Sequence, residues 1–234
     1  MRYLAVFLCA LLSSCGWIPE KPVTPVRTIV SEPTGPAREL VVLLPGRWSE
    51  PEEFAAEGFT DLVRARHPQA RIVAPDLHVG YYMAGMAADR IEQEIIAPAR
   101  RTGVKRITLV GISMGGLGAL MHAAEYPQSA DQLVLLSPFA GEEEVIDEIA
   151  AAGGLARWQV AEPLAPRDYS RRLWRHFQKQ PPTGIRLGCG ESDRLAPTSR
   201  LIAAELLDRN DALWLPGDHD WPTWNELYRQ LSAR

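Results

Sequence analysis

The sequence predicts an α/β fold, a mostly parallel central sheet of about six to seven strands with helices on both faces. Three observations predict it. Apolar runs of strand length recur along the chain, and stretches with apolar residues at helical spacing separate them. One such run, Arg106 to Ile112, passes straight into the turn Gly111-Ile112-Ser113-Met114-Gly115, with a helical pattern close behind. Finally, 234 residues with 46% hydrophobic content suffice for one domain with an ample core. The formal net charge of −4 offers no electrostatic footprint for nucleic acid.

The domain is read as residues 38–234. Leu40 to Leu44 is a continuous apolar run, as expected of a strand buried on both faces. Ser49 and Glu52 have the spacing of a capping box, and Phe54, Phe59, Leu62 and Val63 follow on a helix that stops near His67-Pro68. Arg71 to Pro75 is the second strand. Ile91, Ile95 and Ile96 form the next helical face, ended by Gly103. Strand 106–112 leads into a helix carrying Leu117, Leu120, Met121 and Ala124. Leu133 to Leu136, Ile185 to Cys189 and Ala212 to Leu215 are the remaining core strands. A helix opened by Pro197-Thr198 separates the last two, and Trp224, Leu227, Tyr228 and Leu231 face inward on a final helix. One connection, 139–182, breaks this rhythm. Loops of that length usually carry function or elements of their own. Val145, Ile146, Ile149 and Leu155 imply at least one helix there. Trp158, Tyr169 and Trp174 either line a pocket or pack the insert onto the sheet.

The N-terminus reads as an address. After Met1-Arg2, the apolar run Tyr3 to Leu12 is too short to span a bilayer and fits the core of a secretory signal over residues 1–14. Residues 15–37 hold Pro19, Pro22, Pro25, Pro33 and Pro36, so they are expected as an extended tether, with Thr28-Ile29-Val30 adding a short edge strand. Leu12-Ser13-Ser14-Cys15 resembles the bacterial lipobox. That resemblance implies that Cys15 becomes the first mature residue and carries the lipid, anchoring the protein in the bacterial envelope. Gly16, standing where an aspartate would favour inner-membrane retention, tilts the expectation to the outer membrane. An ordinary cleaved signal and an uncleaved anchor are the alternatives. Cys9, Cys15 and Cys189 give no disulfide framework, and Cys189 reads as a packed thiol.

A serine hydroxyl becomes a nucleophile only when a base takes its proton and the backbone presents it. A sharp strand-to-helix turn presents it, and small residues two positions either side make that turn possible, here Gly111 and Gly115. With its preceding strand and following helix, this stretch resembles the α/β-hydrolase superfamily over roughly residues 38–234. In that superfamily the order is Ser, then Asp or Glu, then His. By that resemblance Ser113 is the nucleophile. Asp193, in Gly190-Glu191-Ser192-Asp193, matches the acid position, with Glu191 the runner-up. His219, in Gly217-Asp218-His219-Asp220, matches the base. All three lie just beyond the C-terminal ends of predicted strands, where functional groups collect in such sheets. The resemblance places the oxyanion hole at the Met114 backbone N–H and at one from the loop Pro45-Gly46-Arg47-Trp48. Arg47 is the chosen donor and Trp48 the alternative. Asp76 is a possible displaced acid, and His78 a candidate for the cleft rim. Asp218-His219-Asp220 lacks the second histidine or cysteine group that a metal site needs, so neither a metal nor a cofactor is expected.

The segment His219 to Trp224 resembles that of bacterial carboxylesterases within the superfamily. The implied activity is carboxylic-ester hydrolysis through an acyl-enzyme. Thioester or amide cleavage, or remodelling of lipid or cell wall, would use the same groups. A non-catalytic envelope protein is the reading from another class. The expected partners are a small-molecule or lipid ester and, through Cys15, a membrane. Oligomeric state and substrate identity are left open by the sequence.

Overall fold

A computed structural model describes residues 20–208 and 211–233. The signal segment, Cys9 and the lipidation site Cys15 lie outside the described residues. The sheet has seven strands: β1 (Thr28–Ser31), β2 (Glu39–Leu44), β3 (Ala70–Pro75), β4 (Arg106–Ile112), β5 (Gln132–Leu136), β6 (Ile185–Gly190) and β7 (Ala212–Leu215). Their order across the sheet is β1-β3-β2-β4-β5-β6-β7. β2 to β7 are parallel, and only β1 runs antiparallel, with Thr28 opposite Pro75. Leu44 pairs with Gly111, Ile112 with Leu136, and Leu136 with Gly188. This register brings the C-terminal ends of the central strands to one level.

Alternation along the strands divides the core. On β2, Leu40, Val42 and Leu44 join the core on one face, whereas Val41 and Leu43 join the core on the other. The first face is covered by the run α4 (Ala87–Arg90), a π-helical stretch Ile91–Ile96 and α5 (Ala97–Arg101), and by α6 (Met114–Glu125), α7 (Glu143–Ala151), α8 (Tyr169–Lys179) and α9 (Ala196–Leu206). The second face is covered by α1 (Glu53–Ala56), α2 (Phe59–Arg66) and α10 (Trp221–Leu231). A short helix, α3 (Val79–Met83), follows β3. No helix among the described residues is long and apolar enough to cross a membrane.

Four local expectations change. The capping box slips by one residue: α1 begins at Glu53, and the Glu53 carboxylate accepts the Glu50 N–H at 2.9 Å, with no capping bond from Ser49. The helix behind it breaks into α1 and α2 at Gly58, whose φ of 72° is left-handed. The helix of Ile91 and Ile95 widens into π turns just before Pro98, which has no N–H to continue the i→i−4 ladder. The tether expected over 15–37 is already attached along its described part. Val23 exchanges hydrogen bonds with the Tyr81 hydroxyl at 2.9 and 3.1 Å, and the Val26 N–H donates to Glu94 Oε2 at 2.6 Å, while residues 28–31 form the edge strand expected there.

The 139–182 connection holds two helices, α7 and α8, where the sequence reading asked for at least one. Val145, Ile149, Leu155, Leu173 and Phe177 are buried in the first-face core. Trp158 and Trp174 are buried with them, and the Trp174 indole donates to the Ala140 carbonyl at 2.9 Å. These two tryptophans pack the insert onto the sheet.

Candidate active site

Ser113 sits at the C-terminal end of the central strand β4, at the junction with α6. Its φ of 53° and ψ of −115° are a conformation that L residues seldom adopt, and the turn is held from three sides. Its N–H donates to Leu136 at 3.0 Å, and its carbonyl accepts from Gly116 and Phe139, each at 2.9 Å. The glycines are required by contact. A Cβ on Gly111 would collide with the Gly115 carbonyl, and one on Gly115 with the Leu44 carbonyl. The strain at Ser113 therefore persists because three strands and a helix over-determine the turn.

Asp193 follows β6 in a tight turn, its N–H bonded to Gly190 at 3.2 Å. Its side chain is fully buried. His219 follows β7, and its Nδ1 lies 3.0 and 2.9 Å from the two carboxylate oxygens of Asp193. The Leu195 N–H donates to the same carboxylate at 2.7 Å. Burial alone would push the Asp193 carboxyl up. Hydrogen bonds from His219, from the Ser137 hydroxyl and from the Leu195 N–H outweigh it and hold the carboxyl below the ordinary carboxylate value. The histidine loop is pinned on both sides: Asp218 accepts the His219 N–H at 2.8 Å, and Asp220 caps α10 by accepting the Thr223 N–H at 3.0 Å. The acidic residues flanking His219 thus shape a turn. With Nδ1 taken by Asp193, His219 has Nε2 left for proton transfer.

The loop after β2 closes the site from the other side. A Cβ on Gly46 would meet the Ser113 Cβ at 3.5 Å, so the backbone at Gly46 passes directly beside the serine. Trp48 has a left-handed φ of 69°, and the Arg47 guanidinium stacks 4.8 Å above its ring. Met114, the first residue of α6, brings the unpaired N–H end of a helix to the same place.

Other candidates take structural roles. Asp76 accepts from Arg27 Nε at 3.0 Å and ties the start of β1 to the end of β3. His78 caps α3 by accepting the Gly80 N–H at 3.2 Å and packs against Tyr81, ring centroids 4.6 Å apart. Glu191 is exposed. Cys189 is a core residue whose thiol burial pushes up.

Near the acid and base, Ser137 was not singled out from the sequence, and Trp224 was read only as an inward-facing helix residue in the carboxylesterase-like segment. Ser137, buried and at φ 46°, follows β5 directly, and its hydroxyl helps hold the Asp193 carboxyl down. Trp224 donates its indole N–H to Ser137 Oγ at 3.2 Å and stands edge-on to the His219 ring, centroids 5.0 Å apart. Phe54, Phe59 and Trp221 back this tryptophan as an aromatic cluster. The available signal was position: Ser137 occupies the strand end between the ends that carry Ser113 and Asp193.

A profile described as the alpha/beta hydrolase family matches residues 41–233. The "Putative carbamate hydrolase RutD" of Klebsiella pneumoniae (strain 342) is 32% identical over 120 residues, covering 48% of this chain and 43% of that protein. The chain thus spans less than half the length of the curated relative it matches. Among solved structures, Est1E from Butyrivibrio proteoclasticus superposes with a TM-score of 0.61 at 17% identity, over 92% of this chain and 95% of that one. The S-formylglutathione hydrolase FrmB from Staphylococcus aureus gives 0.62 at 14% identity, over 92% and 96%. At such identities the likeness is one of fold.

Proposed function

From the alpha/beta hydrolase family, to which this chain belongs, we propose that the protein is a serine hydrolase cleaving carboxylic esters through an acyl-enzyme. The observation that carries this reading is the buried Asp193 paired with His219 at 2.9 Å, on the sheet edge where the strained turn presents Ser113. Ser113 Oγ attacks the ester carbonyl carbon while His219 Nε2 takes its proton. Asp193 holds the imidazole tautomer and offsets the imidazolium charge. The Met114 and Arg47 N–H groups receive the oxyanion, with the Trp48 N–H as the alternative second donor. The tetrahedral intermediate collapses, and His219 returns the proton to the departing alcohol. Water then repeats the attack on the acyl-Ser113 ester and releases the acid.

A fluorophosphonate probe tests the nucleophile. The full chain should be labelled on Ser113, located by peptide mass spectrometry, and Ser113→Ala should take no label and lose activity by about 10⁴-fold or more. A folded protein that takes no label would leave the scaffold a binding protein. The carbamate hydrolase relative favours a second reading, in which the leaving group is nitrogen. Matched ester, amide and carbamate substrates, compared by kcat/KM, separate the two. By the lipobox resemblance, Cys15 carries a lipid and the protein belongs to the bacterial envelope, with Gly16 favouring the outer membrane.

A further inference from the structure

We infer that the catalytic edge of the sheet is also the face that meets the membrane, so that the ester substrate is drawn from the bilayer. The inference rests on the esterase reading and on the Cys15 anchor proposed above.

The topology carries it. Because β1 is antiparallel to β3, its first residue, Thr28, lies opposite Pro75, the last residue of β3. The chain preceding β1 therefore enters the domain at the C-terminal edge, the edge that holds Ser113, Asp193 and His219. Val23 is fastened there, by its two hydrogen bonds to Tyr81 on α3.

Length then limits orientation. From Cys15 to Val23 the chain spans at most about 29 Å when fully extended. A globular domain of this size is roughly 40 Å across. A lipid on Cys15 therefore cannot reach a bilayer that lies against the opposite edge of the sheet.

The surface agrees with this geometry. Among the described residues the exposed large apolar side chains are Val23, Ile29, Val30, Trp48 and Met83. Val23, Trp48 and Met83, exposed by 56, 64 and 69%, all belong to segments at the catalytic edge, and Ile29 and Val30 sit on β1 beside it. The opposite edge instead presents a polar cleft with Arg66, Arg106 and Arg186. Single exposed hydrophobes are common, but the three most exposed lie at the catalytic edge, which fits insertion into an interface, with Trp48 suited to headgroup depth.

The test uses the full chain, processed in a bacterium and reconstituted into vesicles of phosphatidylethanolamine and phosphatidylglycerol. Nitroxide labels are placed by Met83→Cys at the catalytic edge and by Gln69→Cys at the opposite edge. On vesicle flotation the Met83 label should lose collisions with an aqueous nickel chelate and gain them with oxygen, while the Gln69 label stays in water. A floating protein with the Met83 label still aqueous, or with the Gln69 label immersed, overturns the inference. Protein that does not float overturns it through the anchor, and fluorophosphonate labelling of Ser113 in the same sample reports separately on the hydrolase reading. Met83→Glu should cut hydrolysis of a vesicle phospholipid about ten-fold relative to that of a soluble short-chain ester. Equal losses on both substrates would also overturn it.

Discussion

Two histidine–carboxylate pairs stand at opposite edges of the same sheet, and both close at 2.9 Å: His219 with Asp193, and His67 with Glu39. Distance does not tell them apart. The Asp193 side chain is fully buried, whereas that of Glu39 is 28% exposed. Asp193 also accepts the Leu195 N–H at 2.7 Å, and the Ser137 hydroxyl helps keep its carboxyl ionised. Glu39 faces a cleft of 290 Å³ and shares its charge with Arg106, 3.8 Å away. No nucleophile sits on a strained turn beside it. A desolvated, over-determined acid at the strand ends can organise catalysis, and a solvated pair at the strand starts is a surface ion pair of small energetic weight. The cleft lies at the edge opposite Ser113, Asp193 and His219.

The contrast can be broken most sharply by neutralising each acid. Asp193→Asn should lower kcat by about 10⁴ at neutral pH, because the imidazole loses its correct tautomer. Glu39→Gln should leave kcat/KM within about two-fold of the parent, as expected for an exposed pair. Comparable losses in both would erase the distinction.

Ser137→Ala sharpens it further. Removing a hydrogen bond to a buried carboxylate should cost kcat about ten-fold or somewhat more. It should also raise the Asp193 pKa, read directly from the carboxyl carbon shift in an NMR pH titration. A lower rate with an unmoved Asp193 titration would mean that Ser137 only fills space.

The smallest effect concerns a third pair, His122 with Glu92, also at 2.9 Å but inside the first-face core. Burial holds the His122 pKa below its ordinary value despite Glu92. The unfolded chain therefore binds a proton that the folded chain resists. Stability is full above the unfolded histidine pKa of about 6.5 and falls as pH drops below it toward the lower folded value. In His122→Gln the loss of Tm between pH 7.5 and pH 5 should shrink, measured by thermal melts at both values, although the variant is less stable overall.

Much of this was legible before any coordinates. Ser113 announced itself because a strand, a Gly-flanked serine and a helix in that order allow few backbone solutions. Asp193 and His219 were matched by resemblance to the superfamily's residue order, in agreement with their places after predicted strands, and the structure brings those two side chains together. Other features were hidden for physical reasons. Capping depends on which backbone N–H groups end up orphaned, so Glu53 rather than Glu52 turned back to the chain. Ser137 looked like any serine in a turn, since its role exists only because β5 lies between β4 and β6. Trp158 and Trp174 carried no mark in sequence that separates a pocket wall from a core.

The linear pattern of apolar runs and glycines determined by itself that the chain forms an α/β sheet and that a strained serine turn stands at the end of one of its strands. Local sterics and periodic burial suffice for that, because both act over a few neighbouring residues. Only the tertiary structure decided which of three equally short histidine–carboxylate pairs has a desolvated acid, and at which edge the N-terminal segment enters. Those outcomes depend on strand order and on the direction of β1, properties that arise when residues far apart in the chain exclude water together.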